Sequence, residues 1–256
     1  MDKVMQRNFV NAGGLFMFGN AVPPDFIDDV LTSNLFYQLA ASGQHDLFID
    51  AEAWLREYSR LMVVLGQEAS RREMRSITPE GQDSLWSMIK NALGKQISSG
   101  GLSQAEAVFT RLQNDNGTAL KLLEQHTTQS LPSQADFPKT SFAAATSKEN
   151  LSSRTVTLQL VVVDKAPFLT QVFISFKTSS ALPSLSILPL IKQEQVVGNV
   201  ELSLMTTELY ADPYEDMKDT ILEMLGPRRS TLIIELGESE GTNGTVDKTC
   251  GSSSSH

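Results

Sequence analysis

The apolar positions change period near the middle of the chain. Up to about Gln129 they recur at i, i+3, i+4 and i+7, the spacing that lines one helix face; from Arg154 to Met205 they alternate as in half-buried strands. Helix-start chemistry punctuates the first half. Pro24 with Asp25 opens a helix striped by Ile27, Val30, Leu31 and Leu35, Asp50 caps one carrying Trp54, Leu55, Tyr58, Leu61 and Met62, and Thr78-Pro79-Glu80 precedes Leu85, Met88, Ile89 and Leu93. The pair Gly100-Gly101 reads as the end of that third element. Ser103 with Glu106 reads as a capping box for a fourth, and the turn before Gly117 leads to a fifth through Leu120 and Leu123.

In the second half Val156, Leu158, Leu160 and Val162 alternate with Thr155, Thr157, Gln159 and Val161, and Val172, Ile174 and Phe176 with Phe173, Ser175 and Lys177. These predict two strands, with a third around Leu185 and Ile187 and a fourth through Val200, Leu202 and Leu204. The short spacings favour antiparallel pairing, since parallel neighbours need a crossover. Asp212-Pro213-Tyr214-Glu215 opens a late helix through Met217, Ile221 and Leu225, and a last strand, Thr231 to Leu236, would use it as a crossover to pair in parallel.

The expected fold is therefore α+β: a helical N-terminal half of about five helices, then a mainly antiparallel sheet of roughly four to five strands with one late helix packed on it. The corresponding divisions are a helical region 1–129, a linker or surface loop 130–153 rich in Ser, Thr and Pro, a β-rich region 154–236 with its helix at 213–225, and a flexible tail 237–256.

With 256 residues, 41% of them apolar and 20% charged, the composition is that of a globular protein. A net charge of −9 opposes long-range attraction to nucleic acid, so no nucleic-acid partner is expected. Cys250 is the only cysteine, which excludes an intramolecular disulfide. The first residues lack the apolar run of a secretory signal, and the longest apolar stretch, Leu182 to Ile191, is broken by Pro183 and Pro189. These features place the protein in the cytoplasm, or have it exported without a cleaved signal.

Candidate chemistry is sparse. The chain has no nucleophile elbow, phosphate-binding glycine loop or H-E-x-x-H pair, so no cofactor and no metal site is expected. His45 beside Asp46 is the candidate for a general base oriented by a carboxylate, and His126 suits the C-terminal end of a helix. Arg56 and Arg60, and likewise Arg71 and Arg75, lie four apart with Arg72 between the latter; on helices they would form an anion or partner patch, tempered by Glu57, Glu68 and Glu73.

Val161, Val163, Leu169 and Phe173 fall opposite the main apolar stripes of the first two strands, so both sheet faces need a cover. The chain's own helices, a partner or a lipid would each supply one. The leading reading is a non-enzymatic interaction or assembly protein, using that second face for self-association as a homo-oligomer or for a protein partner. The alternatives are a membrane- or lipid-associated effector or toxin component, and a hydrolase-like enzyme with a site near His45.

Overall fold

The computed structural model describes residues 6–81, 83–114, 117–130, 154–179 and 191–237. The chain begins with a hairpin of two short strands, β1 (Arg7–Asn11) and β2 (Gly14–Phe18). The continuous apolar run Leu15 to Phe18 suits a strand buried on both faces, and all four side chains are buried. Two helices follow, α1 (Pro24–Ser42) and α2 (Ala51–Val64), and then the long strand β3 (Gln67–Ile77). The Asp50 side chain accepts from the Ala53 amide at 3.0 Å, as its capping role requires.

Next come α3 (Leu85–Leu93), α4 (Ser99–Asn114), α5 (Thr118–Thr127) and the short strand β4 (Thr128–Ser130). The remaining elements are β5 (Arg154–Lys165), β6 (Phe168–Thr178), β7 (Val196–Leu209), α6 (Ala211–Leu225), α7 (Arg228–Leu232) and β8 (Ile233–Leu236).

Among the described residues the strands form one eight-stranded mixed sheet in the order β3-β7-β6-β5-β2-β1-β8, with β4 also pairing with β5. The β2–β5 pair is parallel and the others are antiparallel. Helices cover both faces. One core holds Trp86, Ile89, Phe109 and Leu123 from α3, α4 and α5, and the other holds Leu35, Trp54, Tyr58, Ile221 and Leu225 from α1, α2 and α6. The architecture is three layers, helix on sheet on helix.

This arrangement corrects the expected α+β fold. The first half is not a helical block before a sheet of four to five antiparallel strands with one late helix; helices and strands interleave, and β1, β2 and β3 come from that half. The β3 sequence QEASRREMRSI reads as polar and helical, but pairing with β7 from Gln67↔Leu209 to Ile77↔Val200 makes it an edge strand, tertiary pairing overriding local propensity. The pair Gly100-Gly101 does not end a helix. It lies in the first turn of α4, where the Ser98 hydroxyl accepts from the Gly101 amide at 2.9 Å. A Cβ on Gly101 would come within 2.7 Å of Val162 Cγ1, so glycine is what lets α4 approach β5. The final strand pairs antiparallel with β1 rather than parallel. The third predicted strand near Leu185, the segment 131–153 and the tail after Gly237 lie outside the described residues.

Helix α6 buries Tyr214, Ile221 and Leu225, whereas Met217, expected on the same face, is 39% exposed. Ile221→Ala is therefore expected to cost about 2–3 kcal/mol by chemical denaturation, and Met217→Ala no more than about 0.5 kcal/mol. Equal losses would mean that α6 packs by a different face.

Candidate functional site: the two faces of the central strands

Strands β5, β6 and β7 run antiparallel in the middle of the sheet, with 12, 11 and 14 residues. Their two faces differ chemically. Toward α3–α5 they present Val156, Leu158, Leu160 and Val162 from β5, Val172, Ile174 and Phe176 from β6, and Val200, Leu202 and Leu204 from β7. Every one is buried and apolar; Thr170 and Thr206 at one end and Thr178 at the other complete the same face.

The opposite face carries Val161, Val163 and Leu169 at one end, with Thr207 opposite Leu169, and toward its middle sets Thr157, Gln159, Gln171 and Ser175 among Phe173 and Met205. A buried hydrogen-bonded set ties this mixed face to the helices above. Gln159 Nε2 donates to Tyr58 Oη at 2.9 Å and to Gln171 Oε1 at 3.1 Å. Gln171 Nε2 and Gln67 Nε2 donate to Thr207 Oγ1 at 3.1 and 2.8 Å. The Tyr58 hydroxyl has acceptors in Asn34 Oδ1 and Gln171 Oε1, and having one proton it serves one at a time. Burial drives the Tyr58 pKa well above the usual value, so the hydroxyl keeps that proton. Gln159 Oε1 is buried without a partner among the described residues, and Gln159 borders a void of about 30 Å³, room for a water.

The four side chains expected to form a binding surface, Val161, Val163, Leu169 and Phe173, are 0%, 0%, 0% and 7% exposed. They belong to the core beneath α1, α2 and α6, so the cover is the chain's own helices; of the four, Phe173 alone also borders an open groove among the described residues. Phe173 meets the rings of Trp54 and Tyr58 edge-on, at 5.8 and 5.1 Å between centroids.

His45 is half-buried in the α1–α2 loop. Asp46 beside it accepts from the Phe48 and Ile49 amides at 2.8 and 3.2 Å, which closes the loop turn. The structure brings His45 into one open cleft of about 340 Å³ with His126, a pairing the sequence separation of the two conceals. Among the described residues no three His, Cys, Asp or Glu side chains are placed to hold a metal.

Burial lowers the His126 pKa below the ordinary 6.5. The unfolded chain therefore takes up this proton more readily than the folded one, so stability falls as pH drops below about 6.5 until the folded-state pKa is passed. His126→Gln is expected to flatten the dependence of the denaturation midpoint on pH over that window. An unchanged slope would assign it to other groups.

Of the arginines, Arg56 and Arg60 lie on α2, but Arg71, Arg72 and Arg75 lie on β3, so the latter share a strand rather than a helix face. Arg60 grips Glu57 at 2.8 and 2.7 Å, and Arg71 and Arg75 converge on Glu73 at 3.0 and 2.6 Å. Arg56 and Arg72 have no ion pair among the described residues. The buried amide-and-hydroxyl set is not evident from the sequence, although a signal is present: the long amides Gln159 and Gln171 stand in the middle of strands rich in valine, leucine and phenylalanine.

No known protein family and no curated protein matches this chain. Two solved structures resemble it weakly. One is the activated Cyt2Ba monomer from Bacillus thuringiensis subsp. israelensis, 12% identical, covering 79% of this chain and 100% of its own, with a TM-score of 0.42. The other is a delta-endotoxin, also 12% identical, covering 78% of this chain and 82% of its own, with a TM-score of 0.42.

Proposed function

We propose that this protein is a membrane-associated effector that inserts β5, β6 and β7 into a lipid bilayer once α3, α4 and α5 have lifted from the sheet. One observation carries the reading: three adjacent antiparallel strands have one face apolar over its middle, with threonines and charges only toward its ends, and the other face mixed, with Thr157, Gln159, Gln171 and Ser175 set among Phe173 and Met205. That dyad alternation is what a strand needs when one side meets lipid and the other water. The strands have 12, 11 and 14 residues, against about 9–11 for a tilted membrane-spanning strand.

The charges are placed accordingly. β5 carries none between Arg154 and Asp164, and β6 none before Lys177, so the charged groups fall at strand ends, where headgroups would be; Glu201 of β7 lies on the mixed face. Among the described residues no helix is long and apolar enough to cross a membrane, which leaves strands to do so. Three strands cannot close on themselves, and lipid tolerates no open sheet edge, so several copies of the chain would complete a barrel. The net charge of −9 disfavours anionic surfaces and favours zwitterionic bilayers.

The test locks the layers together. Gly101 lies close enough to Val162 for cysteines at both positions to bridge α4 and β5, and Cys250→Ser removes the competing thiol. The oxidised Gly101→Cys/Val162→Cys protein should fail to release dye from phosphatidylcholine vesicles, with release restored by reductant. Equal release in both redox states, or a reduced protein that neither floats with vesicles nor releases dye, defeats the proposal.

A further inference from the structure

A second feature lies on the other side of the sheet, away from the face assigned to the bilayer. Between α2 and the strands β7 and β3 runs an apolar groove of about 470 Å³, within the range of small-molecule sites. Trp54, Leu55, Phe173, Met74 and Met205 supply its apolar lining. Met74, on the outer strand, is 76% exposed and keeps its side chain at the rim of the groove.

The ends of the groove differ in charge. Arg72 pairs across the sheet with Met205, and Ser59 of α2 reaches the same methionine, so Arg56, one helical turn before Ser59, lies toward that end with Arg72. Glu201 is four residues earlier on β7, about 13 Å along the strand. Glu52 is one turn before Arg56 and belongs to that far end. Glu73 also borders the groove, but Arg71, Arg75 and Gln96 already engage its carboxylate. The groove thus has an apolar middle and, at one end, two arginines without ion pairs among the described residues.

We infer that this groove binds a long-chain fatty acid, with the carboxylate on Arg56 and Arg72 and the alkyl chain over Trp54, Leu55, Phe173 and Met74. Guanidinium matches a carboxylate in shape and charge. Methionines adapt to a flexible chain, which suits an occupant without fixed shape. The bilayer proposal is not needed for this inference, and its test uses no vesicles, so the two can fail separately.

Trp54 lines the groove, while the protein's other tryptophan, Trp86, lies in the core on the opposite face. A dibrominated stearate, kept below its micelle concentration, should quench Trp54 emission saturably in the full-length protein. Trp54→Phe should abolish that saturable component. Arg56→Ala with Arg72→Ala, both exposed, should weaken binding by about tenfold or more, the worth of one hydrogen bond to a charged group. Leu55→Glu should weaken it further by placing charge against the chain. The inference is overturned if quenching does not saturate, if the arginine substitutions leave the affinity unchanged, if the brominated alcohol binds as tightly as the acid, or if a brominated single-chain phosphocholine binds more tightly.

Discussion

Tyr58→Ala is expected to cost about 3–5 kcal/mol, a large share of the roughly 5–15 kcal/mol that holds an ordinary domain folded. The ring is fully buried, stacked on Trp54 at 5.2 Å and set edge-on to Tyr37 at 5.5 Å. Its removal leaves a cavity between α2 and the sheet, in a place where Asn34, Gln159 and Gln171 have arranged their polar atoms around the hydroxyl. Tyr58→Phe separates the two effects. It keeps the ring but takes a partner from Gln159 Nε2 and from the acceptors, and should cost about 1–3 kcal/mol. Urea denaturation at unchanged slope measures both. A Phe variant as stable as the parent would mean that the hydroxyl contributes nothing to holding α1 and α2 on the sheet.

Phe109→Ala should cost a similar 3–5 kcal/mol for a different layer. Phe109 is 1% exposed on α4 and meets Trp86 edge-on at 5.2 Å, in the core that joins α3, α4 and α5 to the sheet. The functional outcomes should therefore diverge. If these helices must lift for insertion, loosening them accelerates dye release from phosphatidylcholine vesicles, whereas Tyr58→Phe, on the opposite face, leaves release near the parent rate. Because the two residues belong to separate cores, the milder pair Tyr58→Phe and Phe109→Leu should add in stability within about 0.5 kcal/mol. Strong coupling would mean that the layers do not respond independently.

Much of this structure is legible from local chemistry. Pro24 and Asp50 mark the starts of α1 and α2 because first-turn proline and an acidic cap act within a few residues of sequence. The alternation along β5 and β6 is equally local. What the sequence conceals is pairing over distance. β3 becomes a strand only because β7 supplies hydrogen-bond partners more than a hundred residues away, and its own arginines and glutamates argue for a helix. The Gly100-Gly101 pair looks like a stop signal, because its purpose, close approach to Val162, lies on another element. The same holds for the candidate site: the apolar second face was visible in Val161, Val163, Leu169 and Phe173, but which layer would cover it was not. Gln159 and Gln171 meet Tyr58, and Gln171 and Gln67 meet Thr207, only because five elements, α2, β3, β5, β6 and β7, come together.

The charged sequence of β3 has one more consequence. As the outermost strand among the described residues it has a row of backbone donors and acceptors without a ladder partner there, the kind of edge on which another chain can pair. Arg71, Arg72 and Arg75 with Glu68 and Glu73 make that rim densely charged, and the register shift between Ala69 and Arg71 bends it out of line. The opposite rim, β8, is only 4 residues long and offers little to template on. Arginines that resemble an anion patch in sequence thus also stand on an edge strand, where charge opposes edge-to-edge pairing, and replacing Arg71 and Arg72 by valine is expected to raise aggregation as read by light scattering.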